Sequence, residues 1–164
     1  MNRQTDRELI IEEGGLNLRA EGPFTAEKTY FPSKKLRSET HYQNGHLQGR
    51  SVFFSEQGKI LSESWFWEGK KVSVCRQFYP SDAPYAILPF KEGRKEGRHE
   101  YFYENGQLKT LEHFAHGKLD GPSTLYWPNG QIKREAHFSQ GIRCGWDRMF
   151  TESGELIEEE QYVS

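Results

Sequence analysis

The histidines, the carboxylates and two cysteines are the side chains here whose types suit acid–base, metal or redox chemistry, and several recur at one spacing. His41, His113 and His137 are separated by multiples of 24 residues, and the intervening and following positions of that column hold Trp65, Pro89 and Gln161. Two residues earlier, Glu39, Glu63, Glu135 and Glu159 share a column in the same way. A histidine pair could bind zinc, whose ligands lie about 2 Å from the metal. A carboxylate pair about 5 Å apart could support glycoside hydrolysis. Both chemistries require members of a column to converge in space. Cys75 and Cys144 make no metal or redox motif. The chain carries no G-x-S-x-G, no H-E-x-x-H and no phosphate-cradling G-x-x-x-x-G-K-[ST].

The same period governs far more than the titratable groups. Stepping by 24 from Tyr126 reaches Tyr30, Phe54, Phe78, Phe102 and Phe150, all aromatic. Twelve residues further on lie Tyr42, Phe66, Phe90, Phe114, Phe138 and Tyr162. Gly45, Gly69, Gly93, Gly117 and Gly141 form an unbroken glycine column, followed four positions later by Gly49, Ser73, Gly97, Gly121 and Gly145. A period of this length marks a repeat architecture, in which each unit is one supersecondary element.

The segments between glycines, such as "RSVFF" and "ILSESWFW", are short, rich in aromatic and β-branched residues, and bounded by turn formers. "QNG", "ENG" and "PNG" supply positive-φ residues for tight turns. The expected fold is all-β: an elongated, twisted, single-layer antiparallel meander of about six 24-residue hairpin repeats. Residues 30–164 form the array, and residues 1–29, where "GPFTAEKTYF" echoes "GPSTLYW", form an N-terminal capping segment, a worn half-repeat. In the third unit Pro80, Pro84 and Pro89 predict a bulge, kink or pairing gap, because proline removes a ladder hydrogen bond.

This geometry removes the chemistry that the columns first suggest. With strands about 4.8 Å apart, each unit advances roughly 10 Å, too far for His113 and His137 to share one metal. The glutamate column becomes a ladder, expected to pair with Arg37 and Lys133, two residues away on the same face. Cys75 and Cys144 fall about 28 Å apart on the same spacing, well beyond the roughly 7 Å that a disulfide spans. No catalytic residue, metal or cofactor is expected.

What remains is a binding surface. Tyr79, Tyr103 and Trp127 share a column with Phe31 and are expected to point away from the first aromatic column. A monolayer has no second sheet to hide a second face. Trp65, Trp67, Tyr79, Tyr103, Trp127, His113 and His137 are therefore the candidate partner-binding residues. Cross-strand stabilisation of each hairpin is the alternative role of the rings.

The 164 residues carry 22 Lys and Arg against 24 Asp and Glu, a formal net charge of −2. That balance argues against nucleic acid and, with charges alternating in sign, against an anionic lipid surface. No apolar run reaches the length of a membrane span, and the N-terminus lacks the features of a secretory signal, so a cytoplasmic location is expected.

The pattern in "FAHGKLDGPSTLYWPNG" and "YQNGHLQGRSVFFSEQG" resembles the MORN repeat, and more closely the bacterial MORN-repeat variant found in toxin–antitoxin antitoxins. The resemblance covers residues 30 to 162. It implies a curved β-sheet used for binding, with a bacterial toxin or effector as protein partner, neutralised by occlusion. A structural or membrane-associated scaffold in the manner of eukaryotic MORN proteins is the alternative that it leaves open.

Overall fold

The computed structural model describes residues 1–163, and its elements are all strands. Three short ones, β1 (Arg3–Gln4), β2 (Glu8–Ile11) and β3 (Leu18–Glu21), form a small antiparallel sheet. The remainder is one long meander. Its first half runs β4 (Thr25–Tyr30), β5 (Leu36–Gln43), β6 (His46–Phe54), β7 (Ile60–Trp67), β8 (Lys70–Phe78) and β9 (Pro84–Lys91). After the two-residue β10 (Arg94–Lys95) come β11 (Gly97–Phe102), β12 (Leu108–Ala115), β13 (Lys118–Tyr126), β14 (Ile132–Ser139), β15 (Ile142–Phe150) and β16 (Leu156–Tyr162). Each strand pairs antiparallel with the next in sequence, except that β10 is a spur on β9 and β11 pairs back to β9, so the sheet is an open ribbon with β4 and β16 at its two ends.

Two kinds of turn alternate along it. At one edge the two-residue loops Asn44-Gly45, Glu68-Gly69, Glu92-Gly93, His116-Gly117 and Gln140-Gly141 have positive φ at both positions. This is the type I′ turn, whose twist matches that of the strands it joins. At the other edge only Lys34, Gly58, Asp82, Gly106, Gly130 and Gly154 are left-handed, each closing a longer turn such as Ser55–Lys59. The three Asn-Gly pairs therefore do different work. "QNG" is a type I′ turn, whereas Asn105 and Asn129 are absent from the left-handed region and use Oδ1 to accept the Gln107 and Gln131 amides.

The column Gly49, Ser73, Gly97, Gly121 and Gly145 is also left-handed, with register shifts nearby at Thr40/Tyr42, Glu63/Trp65, Glu112/Phe114 and Ala136/His137. Each marks a β-bulge, and bulges at regular spacing increase the twist of the ribbon. The expected pairing gap falls at Pro89. β9 and β11 pair only at Ile87 and Ala86 with Glu100 and Tyr101. Beyond the gap the Glu96 amide and the His99 ring both donate to the Pro89 carbonyl, at 3.1 and 2.8 Å.

The chain's first strands do not extend the ribbon in its own plane. β4 forms the edge beside β5, while β1–β3 lie over the flat of the ribbon. Leu9, Ile11 and Phe24 are buried there against Trp65 and Val72, which makes this end two layers thick. A smaller core of Cys75, Ala86 and Leu88, flanked by Tyr85, Phe90 and Tyr101, sits where the second and third units meet. Both cysteines are free thiols.

Candidate interaction surfaces

Phe31, Tyr79, Tyr103 and Trp127 begin the longer turns and are not part of a strand, so a count of alternating faces does not apply to them. Their polar tips reach one unit forward. Tyr79 donates to the Phe102 carbonyl at 2.9 Å, Tyr103 to that of Tyr126 at 2.8 Å, and the Trp127 indole to that of Phe150 at 3.1 Å. Asn129 Nδ2 adds a bond to the Glu152 carbonyl at 2.9 Å. The Lys109 ammonium lies 5.5 Å from the Tyr103 ring centre, and that of Lys133 lies 4.3 Å from the Trp127 ring. These three aromatics are half-buried stitches between units, which corrects their placement on an open face.

Trp65 is corrected more strongly. It is only 4% exposed, because the small N-terminal sheet sits on it. Polar contacts hold the sheet at its rim: Asn2 Nδ2 donates to Ser73 Oγ at 2.8 Å, and Arg76 makes a two-pronged pair with Glu13. The Trp65 Nε1 is buried without an acceptor. Trp67 is half-buried against the same cluster and lines a cleft of about 500 Å³ with Ala20, Gln43, Asn44, His46, Gln48 and Glu68.

The histidine column is held by backbone. His41 and His113 each donate through Nδ1 to a carbonyl, of Arg50 and of Pro122, at 3.0 Å. His137 is exposed. Among the described residues no three His, Cys, Asp or Glu side chains come together as a metal-ligand set. The glutamates do form a ladder, but with different cations from those expected. Glu39 pairs with Lys28, Glu63 with Arg50, and both Glu135 and Glu159 with Arg148, all across strands. Arg37 and Lys133 instead lie over the rings of Phe31 and Trp127.

The face that holds the N-terminal sheet on the second unit is left uncovered further along. It carries Arg98, His113, Pro122, His137 and Trp146, with cross-strand pairs Arg98–His113, Pro122–His137 and Trp146–Gln161. Trp146 is 40% exposed with the Arg148 guanidinium 5.2 Å from its ring. Sequence reasoning passed over Trp146. The signal was its column, which holds Arg50, Val74, Arg98 and Pro122 elsewhere, so that an aromatic there is an exception.

Two buried titratable groups also escaped notice. His99 is fully buried between Phe90 and Phe114, its Nε2 hydrogen on the Pro89 carbonyl and its Nδ1 without a partner. Burial holds its pKa below the usual histidine value; the Pro89 carbonyl opposes this and nearby Lys95 adds to it. Asp147 receives two hydrogen bonds from Arg134, at 2.8 and 2.6 Å, and lies 2.9 Å from Arg143. The Arg134 hydrogen bonds hold its carboxyl below the usual range despite burial, which acts the other way.

Among the described residues no helix is long and apolar enough to cross a membrane. A comparison with curated proteins finds no match. Three stretches of the chain match one family model, and each spans two strands and the longer turn between them. Residues 26–44, 95–116 and 119–140 are similar to the MORN repeat variant, and repeats of that kind are generally protein- or membrane-binding modules.

Proposed function

We propose that this chain is a non-enzymatic protein-binding module whose partner is a bacterial toxin or effector, neutralised by occlusion. The observation that carries the reading is the double use of one face. On the second unit that face already docks a small folded sheet through Trp65 and Val72, with a rim of polar contacts. On later units the same face, with Pro122, His137 and Trp146, has no such cover. An apolar or aromatic centre with a polar rim is the usual anatomy of a protein interface. The stitched turns support the same reading, since a preorganised surface loses less freedom on binding.

The test is co-expression with the product of a neighbouring gene that is toxic when expressed alone. Rescue of growth and a stable complex in a pull-down are the expected results. Failure to capture such a product by the wild-type chain would sink the reading. A structural or membrane-associated scaffold is the second reading, favoured by the family match alone.

A further inference from the structure

The near-neutral total hides a row of cations that have no paired acid. The type I′ edge gathers Lys70, Lys91, Arg94 and Lys118, all exposed, and among the described residues none has a carboxylate within ion-pair distance. Three of them form one column with rigid footing. The stem of Lys70 lies over Gly93, that of Arg94 over Gly117 and that of Lys118 over Gly141, where an added Cβ would meet them at 3.6, 3.5 and 3.8 Å. Each cation is thus set on the turn of the next unit, giving a row at roughly 10 Å steps.

Two of the nearby acids are held by other partners. Glu96 Oε2 accepts the His116 amide at 2.8 Å, and Asp120 Oδ2 accepts from Gln140 at 3.2 Å. A cleft of about 200 Å³ opens between Lys91, Glu92, Arg94, Glu96 and His116. The Trp67 cleft stands beside the same row, with Lys70 the cross-strand neighbour of Trp67.

We propose that this edge docks an acidic segment of a protein partner, a proposal that rests on the protein-binding reading above. Carboxylates placed at the spacing of the cation column meet Lys70, Arg94 and Lys118 in turn, and an apolar side chain enters the cleft beside Trp67. A uniformly anionic membrane fits less well. Glu68, Glu92, Glu96 and Asp120 interleave with the cations and would face headgroup phosphates, and Ile142 is one exposed apolar side chain at this edge where interfacial insertion uses a whole apolar face. Paired in water at about 0.1 M salt, charges act over about 10 Å, so binding should weaken as salt rises.

The test uses the full chain and a fluorescein-labelled peptide with Glu at every third residue and Ala between, which spaces the carboxylates about 9 Å apart in extended polyproline II geometry, followed by anisotropy at low and physiological salt. The expected result is salt-sensitive binding, about tenfold or more weaker in Lys70→Glu/Arg94→Glu/Lys118→Glu. The matched variant Lys34→Glu/Lys35→Glu/Lys59→Glu, at the other edge, keeps wild-type affinity. Circular dichroism confirms that both fold. Absence of peptide binding by the wild type, or equal binding by the two variants, overturns the proposal. So does stronger binding to phosphatidylserine–phosphatidylcholine vesicles than to the peptide. The pull-down reads a different quantity: a toxin captured equally by wild type and the Lys70/Arg94/Lys118 variant would leave the protein-binding reading standing and remove this edge from it.

Discussion

Trp65→Ala should release the N-terminal sheet while leaving the far end of the ribbon folded. A tryptophan side chain buries about 150–250 Å², and at about 25 cal/mol per Å² its removal costs about 4–6 kcal/mol. That figure is an upper bound, because the unfolded chain already buries part of its apolar surface. Its Nε1–H has no acceptor in the folded chain, and relief of that penalty returns about 1–3 kcal/mol. The net loss is about 1–5 kcal/mol, which overlaps the range measured for large-to-small core changes. Trp65 contributes to the cluster with Leu9, Ile11, Phe24 and Val72, so the loss falls on the contact between sheet and ribbon. In a quasi-one-dimensional array, units contact only their neighbours and distant ones keep their stability. Hydrogen exchange resolved by segment is the assay: amides of β2 and β3 should lose protection while those of β12 to β15 keep theirs. An equal loss of protection in both regions, or none in either, would refute the reasoning.

Two further outcomes concern the buried titratable groups. His99 has a folded pKa below its unfolded value, so the unfolded chain takes up the proton first as pH falls. Stability from this group is therefore present above about 6.5 and declines as pH drops towards the depressed folded value. The proton would be added at Nδ1, which has no acceptor, with Lys95 nearby and Glu112 as the cross-strand neighbour. Urea midpoints at pH 7.5 and 5.5 should differ less in His99→Phe than in the wild type, and identical pH slopes would contradict this. Asp147→Asn removes the charge facing Arg134 and Arg143 and should cost about 1–3 kcal/mol at neutral pH, since hydrogen bonds to charged groups are the stronger class. Its folded pKa is depressed, so the wild-type advantage is present above about 4 and lost as pH falls below it. Denaturant titration of both proteins at pH 7 and pH 3 checks the sign; a constant difference would be inconsistent with it.

The period of 24 carries nearly all of the ribbon, because hairpin, turn and bulge are local structures whose residues recur in fixed columns. The N-terminal sheet was less legible. "ELII" alternates partly buried and buried residues, as a half-covered strand should, yet nothing local says which surface covers it. The trace lies in the repeat itself: Trp65 stands in the column of His41, His113 and His137, and Val72 in the one that holds Gln48, Glu96, Asp120 and Cys144. Two apolar exceptions in one unit record what sits on them. Tyr79, Tyr103 and Trp127 were misplaced for a different reason. A turn suspends the two-residue alternation of a strand, so spacing alone does not tell a face from a stitch. Total charge likewise conceals Lys70, Arg94 and Lys118, because a sum does not show which cations lack a paired carboxylate.

The stitches along the two edges also decide how the ribbon meets a mechanical load. Tension applied along its long axis pulls strands apart sideways, so the ladder bonds between adjacent strands yield a few at a time. The bonds from Tyr79, Tyr103 and Trp127, and those from Gly93, Gly117 and Gly141 to Lys71, Lys95 and Leu119, span neighbouring units and share that load. Each unit then gives way as a separate event that frees about 80 Å of extended chain. A protein drawn out from its ends in such increments takes up strain gradually, as a safety strap with tear-away stitching does.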